Sequence, residues 1–329
     1  MKTSQSIRVG VVGLGRMGEN HLKKYLSLPN VEVVGFYDNN LSRAKEVSEQ
    51  YQLTAFNDLE TLFYEADAVS IATATPFHFS VAKKALESGV HILVEKPVTE
   101  TSGEADELIE IALRNGLQFQ VGYVERFRLL ALLADLPAFV PTHIQLGRLN
   151  TSLGREPDRD VITDLMVHDI DLSNFLMRDI PSSHMVSACS VLTGNWDEAL
   201  ATLVYPSGTV ATITSSRVAS TLARGLRILG EGTSLDLDFV KNTVKGFYRD
   251  PAGVTRGFEK TYQPLDPLLN EISAFVSCIQ GVERIHVTGR EAKLVGETAM
   301  ALLESLPSAK PFPGTTRSPE IKSILPAVN

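Results

Sequence analysis

Three side chains in this sequence have the types and the spacing needed for acid–base chemistry. Lys96 lies in the tripeptide Glu-Lys-Pro at 95–97, directly after an apolar run that is typical of a buried strand. Asp164 and His168 are four residues apart, and Asp171 follows three residues later. A helix would place these last three on one face, since residues three and four apart are neighbours on its surface. An imidazole beside a carboxylate, together with a lysine, could serve as an acid–base apparatus.

Each motif also has an ordinary structural interpretation, which the sequence leaves open. Lys96 would then be a surface lysine, and Asp164 with His168 would be an exposed helix pair or half of a metal site. The only cysteines, Cys189 and Cys278, make neither a disulfide framework nor a metal-ligand cluster. We therefore predict no metal, and a reducing compartment, the cytoplasm.

A glycine fingerprint near the start of the chain predicts a dinucleotide cofactor. Gly13, Gly15 and Gly18 follow the apolar run Ile7 to Val12 and open a segment with helical character. In a dinucleotide site the first glycine permits a tight turn, the second lets the backbone approach the pyrophosphate, and the third lets helix and strand pack closely. The free N–H groups of the helix N-terminus then bind the phosphates.

Asp38 decides which dinucleotide the sequence favours. It closes a second apolar run, twenty residues after Gly18. Its carboxylate would accept hydrogen bonds from a ribose 2′- and 3′-hydroxyl pair, which favours NAD over NADP. Asn39, Asn40 and Arg43 follow and would make room for a 2′-phosphate, so NADP stays an alternative.

Alternating strands and helices over the first third of the chain would position these groups. Further strands are predicted at 68–73, 91–94 and 117–121, between helices at 42–50, 58–65, 77–88 and 102–114. Such βαβ units build a doubly wound parallel sheet, and we predict a Rossmann domain over residues 1–122. Ligands bind outside the carboxyl ends of its strands, which would put Lys96 beside the nicotinamide.

The remainder predicts an α+β domain over 123–306 with an open, mainly antiparallel sheet. A strand at 142–149 and a helix at 164–178 precede strands at 184–192, 198–205, 209–218, 225–230, 234–240 and 244–249. Short turns between successive strands are typical of antiparallel pairing. Asp266-Pro267 and the capping box Thr288-x-x-Glu291 signal two closing helices. A proline-rich tail, ordered or disordered, follows at 307–329.

Composition excludes several classes of function. The chain has 31 Lys and Arg against 39 Asp and Glu, a net charge of −8, whereas nucleic-acid-binding proteins carry an excess of basic residues. No apolar run is long enough to cross a bilayer, and the N-terminal residues do not have the pattern of a secretory signal. We therefore expect a soluble protein without nucleic-acid or membrane partners.

Together these motifs resemble the Gfo/Idh/MocA family of pyridine-nucleotide oxidoreductases. The resemblance runs from VGVVGLGRMGENH through IATATPFHFSVAKKALESGVHILVEKP to DLMVHDIDL. It implies a Rossmann domain followed by an α/β domain whose sheet forms a homo-dimer or homo-tetramer interface. It implies Lys96, Asp164 and His168 as the catalytic residues. It implies that the cofactor is contacted by Gly13, Gly15, Arg16, Met17, Asp38, Thr73, His78, Glu95 and Lys96. The glycine fingerprint adds Gly18 to this set.

Residues 121–127, 160–172 and 215–240 resemble, more narrowly, the branch of this family that oxidises C3 of UDP-N-acetylglucosamine. In that branch the 3-keto sugar nucleotide passes to a PLP-dependent aminotransferase. This chain departs from the branch at Arg128 and Leu129, where an asparagine and a proline are usual.

A diphosphate sugar needs local cations, and several arginines precede the catalytic helix. They are Arg126, Arg128, Arg148, Arg155 and Arg159. We take Arg126, Arg155 and Arg159 as candidate substrate ligands, together with Lys96, Asp164 and His168. The alternative is that the arginines form a solvated face or pair with Glu156, Asp158 and Asp160.

The sequence thus predicts an NAD-dependent oxidoreductase that takes hydride from a secondary alcohol of a sugar, C3 of UDP-N-acetylglucosamine. Lys96 or His168 would take the hydroxyl proton, with Asp164 orienting the imidazole. One alternative is a dehydrogenase of a free sugar, a polyol or another cyclic carbonyl compound. Another is a non-catalytic dinucleotide-binding sensor, against which the presence of all three catalytic residues argues.

Overall fold

Two sheets, each within its own compact unit, make up the fold. The computed structural model describes residues 6–136, 139–151, 159–250 and 252–307, which leaves most of the predicted tail outside the described ranges. One unit contains the described residues up to 136 and Tyr262–Glu297, and the other contains those from 139 to 261 and from 298 onwards. In these ranges no helix combines the length and the apolar character that a bilayer crossing requires.

A parallel sheet of five strands forms the centre of the first unit. The strands are β1 (Ile7–Val12), β2 (Val31–Tyr37), β3 (Ala68–Ile71), β4 (His91–Glu95) and β5 (Phe119–Gly122), in the order β2-β1-β3-β4-β5. All four pairings are parallel. Ile92, Leu93 and Val94 are successive and all fully buried, as expected when both faces of a parallel sheet are covered. The predicted Rossmann sheet is therefore confirmed.

The helices that follow these strands begin and end where the side chains permit. They are α1 (Arg16–Leu26), α2 (Leu41–Tyr51), α3 (Leu59–Glu65), α4 (His78–Glu87), α5 (Ser102–Asn115) and α6 (Val124–Leu133). The carboxamide of Asn40 accepts hydrogen bonds from two N–H groups of α2, and Thr101 with Glu104 forms a capping box at α5. Gly116 ends α5 in the left-handed conformation, with φ of 66°. The local pattern did not predict α6.

A helix that the sequence assigns to the second domain lies instead in the first unit. This helix, α8 (Pro267–Ile279), packs on α1 and α6, and its Ile272 and Phe275 join the core that contains Val9 of β1. Asp266 caps α8 and binds Lys24 of α1 at 2.5 Å. The unit thus extends beyond the predicted boundary at residue 122, because the chain returns to it after 261. The last helix within the described residues is α9 (Gly289–Glu304).

An eight-stranded sheet forms the centre of the second unit. Its order is β13-β12-β11-β10-β6-β9-β8-β7. The strands are β6 (Pro141–Leu149), β7 (Ser183–Cys189), β8 (Glu198–Val204), β9 (Val210–Ser216), β10 (Ala223–Gly230), β11 (Thr233–Asp238), β12 (Thr243–Arg249) and β13 (Thr255–Thr261). Among these described strands only β6 and β9 pair in parallel, which confirms the mainly antiparallel prediction. Edge strand β13 is almost wholly exposed, so it lacks the apolar alternation that would have predicted it.

The two faces of this sheet differ sharply in burial. Ile144 and Leu146 of β6 are buried on the face against which α7 (Val167–Met177) packs, whereas Gln145 between them is exposed. The register places Met185 and Leu200 on the same face as Gln145, and these side chains are 73% and 50% exposed. One face is therefore open and carries apolar side chains.

A buried ion pair connects β6 with α7. The guanidinium of Arg148 donates to both carboxylate oxygens of Asp169, at 3.0 and 3.3 Å. The two side chains are 4% and 2% exposed. A charge left alone in such a place is costly, whereas an exposed pair contributes little.

We expect Arg148→Met to lower the free energy of unfolding by about 3–5 kcal/mol, because it removes the guanidinium that binds both oxygens of the buried Asp169 carboxylate. The control is Arg227→Met, which removes the exposed Arg227–Asp236 pair (3.6 Å) from the same sheet and should change stability little. Urea denaturation followed by circular dichroism measures both. Equal losses in the two variants would contradict the assignment.

Candidate active site

A pocket of about 450 Å³ opens at the carboxyl edge of the parallel sheet, in the first unit. The strand order reverses here, because the chain passes from β1 to β2 on one side and returns to β3 on the other. Open α/β sheets bind their ligands at such a switch point. Its lining comprises Val12, Gly13, Gly15, Tyr37, Asp38, Asn39, Leu59, Ala72, Thr73, Ala74, Phe77, Ser80, Val81 and Lys84.

The three fingerprint glycines have three different surroundings. Gly13 has φ of +86°, and a Cβ there would lie 2.8 Å from the backbone nitrogen of Thr73. A Cβ on Gly18 would lie 1.8 Å from the carbonyl oxygen of Gly13, so α1 packs directly on the turn. Around Gly15 no described neighbouring atom lies within 4 Å of the same position. The first and third glycines are therefore required by the protein itself, and the second faces open space.

Asp38, directly after β2, is hydrogen-bonded to the same turn. Its Oδ2 accepts the N–H of Leu14 at 2.5 Å, and its Oδ1 accepts the N–H of Asn40 at 2.8 Å. A carboxylate offers about four lone pairs, so capacity remains for hydroxyl groups in the pocket. Arg16 and Met17 lie in the first turn of α1, whose N-cap, Gly15, has no side chain to bind the exposed N–H groups.

His78, a predicted cofactor contact, is 1% exposed, and its two ring nitrogens lie next to two backbone carbonyl oxygens. Its Nδ1 lies 2.8 Å from the oxygen of Pro97, and its Nε2 lies 3.0 Å from that of Thr73. It therefore connects the segment after β3 with the segment after β4. Pro97 follows Lys96 through a cis peptide bond. In this arrangement His78 would act on a cofactor through the backbone it positions.

Glu95 is held in place by a hydrogen bond with His21 of α1. Its Oε1 lies 2.9 Å from Nε2 of His21, whose Nδ1 lies 3.1 Å from the hydroxyl of Ser70, and that hydroxyl binds Tyr25 at 2.8 Å. His21 is fully buried and the side chain of Glu95 is 13% exposed. Lys96 is the next residue, so this chain of hydrogen bonds helps to fix the backbone from which the lysine side chain extends.

Sequence reasoning did not single out His21, although it stands three residues after the last fingerprint glycine. Single ligand atoms of His21, Glu95 and Glu271 lie within 4.8 Å of one another. The hydrogen bond between His21 and Glu95 lies within this cluster.

Asp164 and His168 lie in the second unit, at the start of the helical segment that packs on its sheet. Asp160 caps this segment by accepting the N–H groups of Ile162 and Thr163, each at 3.0 Å. The predicted single helix is in fact a π-helical turn, Ile162–Met166, followed by α7. Asp164 lies in the π turn and His168 in the first turn of α7, both half-buried. Such wide turns occur frequently at functional sites, and nothing in the apolar periodicity reveals them.

The predicted substrate arginines do not share one role. Nη1 of Arg126 donates to the carbonyl of His286 and to Glu291 at 2.7 Å, and the Arg126 side chain is 1% exposed. Arg126 is therefore buried in the first unit, and its carboxylate partner is Glu291 rather than one of the predicted acidic residues. Arg155 lies outside the described residues. Arg159 is half-buried, and its carbonyl accepts a hydrogen bond from Arg217 at 2.8 Å.

Two family models match most of the chain. The oxidoreductase family with an NAD-binding Rossmann fold matches residues 7–123, and the GFO/IDH/MocA C-terminal domain matches residues 142–236. The chain therefore belongs to the Gfo/Idh/MocA family. It is an oxidoreductase, and its cofactor is NAD, as the sequence predicts.

Individual relatives point to sugars and cyclitols. The UDP-N-acetylglucosamine 3-dehydrogenase of Acidithiobacillus ferrooxidans is 33% identical over 301 residues, 89% of this chain and 95% of that protein. Its solved structure, named GnnA, superposes with a TM-score of 0.85 at 32% identity, over 92% of this chain and 98% of that one. An inositol 2-dehydrogenase/D-chiro-inositol 3-dehydrogenase of Shouchella clausii is 29% identical over 186 residues, 53% of this chain and 54% of that protein.

We expect Gly15→Ala to leave stability unchanged but to weaken NADH binding about tenfold or more, because the new methyl group points into the space where the pyrophosphate would approach the turn. Gly18→Ala should instead lower the free energy of unfolding by about 1–3 kcal/mol, since its Cβ overlaps the Gly13 carbonyl. NADH fluorescence titration and thermal melting separate the two effects. Unaltered NADH affinity in Gly15→Ala would remove the turn from the cofactor site.

Proposed function

We propose that this protein oxidises the C3 hydroxyl of UDP-N-acetylglucosamine to a ketone with NAD as the hydride acceptor. The observation that carries the proposal is similarity over 89% of this chain to the enzyme that acts on this sugar nucleotide, which is itself matched over 95% of its length. The inositol dehydrogenase of Shouchella clausii is matched over 54% of its length. A cyclitol or free polyol is therefore the second candidate substrate.

We further propose that Lys96, Asp164 and His168 carry out the reaction. NAD, when bound, supplies the acceptor for the hydride that leaves C3. Either Lys96 or His168 takes the hydroxyl proton, and Asp164 orients the imidazole. Lys96 belongs to the first unit and the other two to the second, so their joint action is inferred from the family motifs. The anchoring of Glu95 by His21 supports the part given to Lys96.

The partners and location that we propose follow from the product and from the two thiols. A 3-keto sugar nucleotide has the carbonyl group that a PLP-dependent aminotransferase converts to an amine, and such an enzyme would consume the product. Cys189 and Cys278 are both free. Free thiols are usual in a reducing compartment, which supports a cytoplasmic location.

The substrate is tested by following NADH formation with UDP-N-acetylglucosamine, UDP-glucose, N-acetylglucosamine and myo-inositol, with an aminotransferase and glutamate present to remove the ketone. We expect kcat/KM for the first to exceed the others by about 100-fold or more. Preference for inositol would favour the second candidate. NADH binding by the unaltered protein without turnover of any of these substrates would favour a sensor.

The role of Lys96 is tested separately. Lys96→Met should lower turnover by about 10²–10⁴-fold while NADH still binds.

We also propose a homo-dimer or homo-tetramer formed through the open face of the eight-stranded sheet. On this face Met185, Leu200 and Phe247 are 73%, 50% and 46% exposed. Large exposed apolar patches on soluble proteins mark interaction sites. In a two-fold dimer the same patch of both chains would be buried, so each exposed apolar side chain would be covered twice.

We expect Leu200→Asp to reduce the molar mass measured by light scattering to that of a single chain, because the substitution puts a charge into the proposed interface. Leu113→Asp is the matched control, since Leu113 is 77% exposed on α5 in the other unit and should leave the assembly intact. If Leu200→Asp kept the mass of the unaltered protein, the interface would have to lie elsewhere.

A further inference from the structure

Arg43, in the first turn of α2, is bound into the glycine turn of the cofactor pocket. Its Nε donates to the carbonyl oxygen of Leu14 at 3.0 Å. The N–H of the same Leu14 donates to Asp38. Both polar groups of the residue between the first two fingerprint glycines are therefore held by side chains from the segment that follows β2.

Two carboxylates hold the other nitrogens of this guanidinium. Nη2 of Arg43 donates to Oε2 of Glu19 at 2.5 Å, and Nη1 lies 3.0 Å from Oε2 of Glu46. The side chains of Arg43 and Glu19 are 25% and 19% exposed, so solvent screens this pair only in part. All three guanidinium nitrogens thus have acceptors within the protein.

Glu19 is held in turn by two donors of its own. Its Oε1 accepts the hydroxyl of Tyr51 at 2.8 Å and lies 2.9 Å from Nζ of Lys23. The hydrogen bonds from Lys23 and Tyr51, with that from Arg43, lower the pKa of Glu19 to about 2. Because this pKa is lowered, the carboxylate stays charged well into the acid range, and its bond to Arg43 is lost only as the pH falls towards 2.

Arginine near the end of β2 has a well-defined use in other dinucleotide sites, where it receives the 2′-phosphate of NADP. In this chain, three of the five N–H groups of Arg43 are committed to Leu14, Glu19 and Glu46, and the two carboxylates offset the charge that would attract a phosphate. A guanidinium is strongest in fixed, charge-assisted contacts such as these, so leaving them is costly.

We propose that Arg43 is a positioning residue of the phosphate-binding turn, and that Glu19, by retaining it there, is a determinant of the preference for NAD over NADP. Asp38 supplies the acceptor for the ribose hydroxyls, and Glu19 withholds the cation that a 2′-phosphate would need. This inference depends on the cofactor and not on which alcohol is oxidised.

The positioning role is tested by titrating NADH and NADPH fluorescence with Arg43→Ala and Arg43→Lys. We expect both dissociation constants to rise by a similar factor of about 10, because the turn loses a charge-assisted hydrogen bond whichever nucleotide is bound. The lysine variant should behave in the same way, since it keeps the charge but not the fork. Loss of NADPH affinity alone would overturn the proposal, because it would make Arg43 a phosphate ligand.

The specificity role is tested with Glu19→Met, which removes the carboxylate that binds Nη2 of Arg43 and leaves that nitrogen available to a 2′-phosphate. We expect the ratio of the NADPH to the NADH dissociation constant to fall about tenfold, and the double variant Glu19→Met/Arg43→Ala to restore it. Glu49→Met is the matched control, since it removes a carboxylate of α2 that pairs with Lys45 and not with Arg43, and it should not alter the ratio. An unaltered ratio in folded Glu19→Met, as judged by circular dichroism, would overturn the specificity role.

Discussion

The approach of α1 to the glycine turn is the constraint on which the first unit depends. Only a residue without a Cβ fits where Gly18 meets the carbonyl of Gly13. Everything that α1 carries is positioned by that contact: Glu19 reaches Arg43, His21 reaches Glu95, and the apolar face joins the core shared with α8. The absence of a Cβ at Gly18 therefore allows α1 to lie where it lines the glycine turn and contacts Glu95, the residue before Lys96.

Two separate hydrogen-bond systems start on α1, and each supports a different part of the cofactor site. One runs from its outer side through Glu19 to Arg43 and so to the turn that would meet the pyrophosphate. The other runs from its inner side through His21 to Glu95, at the end of β4 where the nicotinamide is expected. Both consist of charged or polar groups held in place before any ligand arrives, and such preorganisation reduces the cost of binding.

Family membership and substrate have different foundations in this protein. The oxidoreductase class follows from motifs in which each residue has a mechanical or chemical function, such as Gly13, Asp38 and Lys96. Which sugar is the substrate depends on the side chains that bind it, and local sequence is a weak guide to these side chains. Arg126 illustrates this, because a guanidinium that looks suited to a diphosphate is instead buried against Glu291. A charge indicates a ligand only when its intramolecular partners are known.

The sequence by itself determined the parallel sheet, the mainly antiparallel second sheet, and the residues of the turn, because periodicity and glycine chemistry are local properties. Only the tertiary structure decided that α8 packs in the first unit, that a π turn holds Asp164, and that Arg43 is committed to Leu14 and Glu19. The physical reason is the same in each case. These outcomes depend on contacts between distant segments, and a side chain's type indicates what it can bind but not which partner it meets.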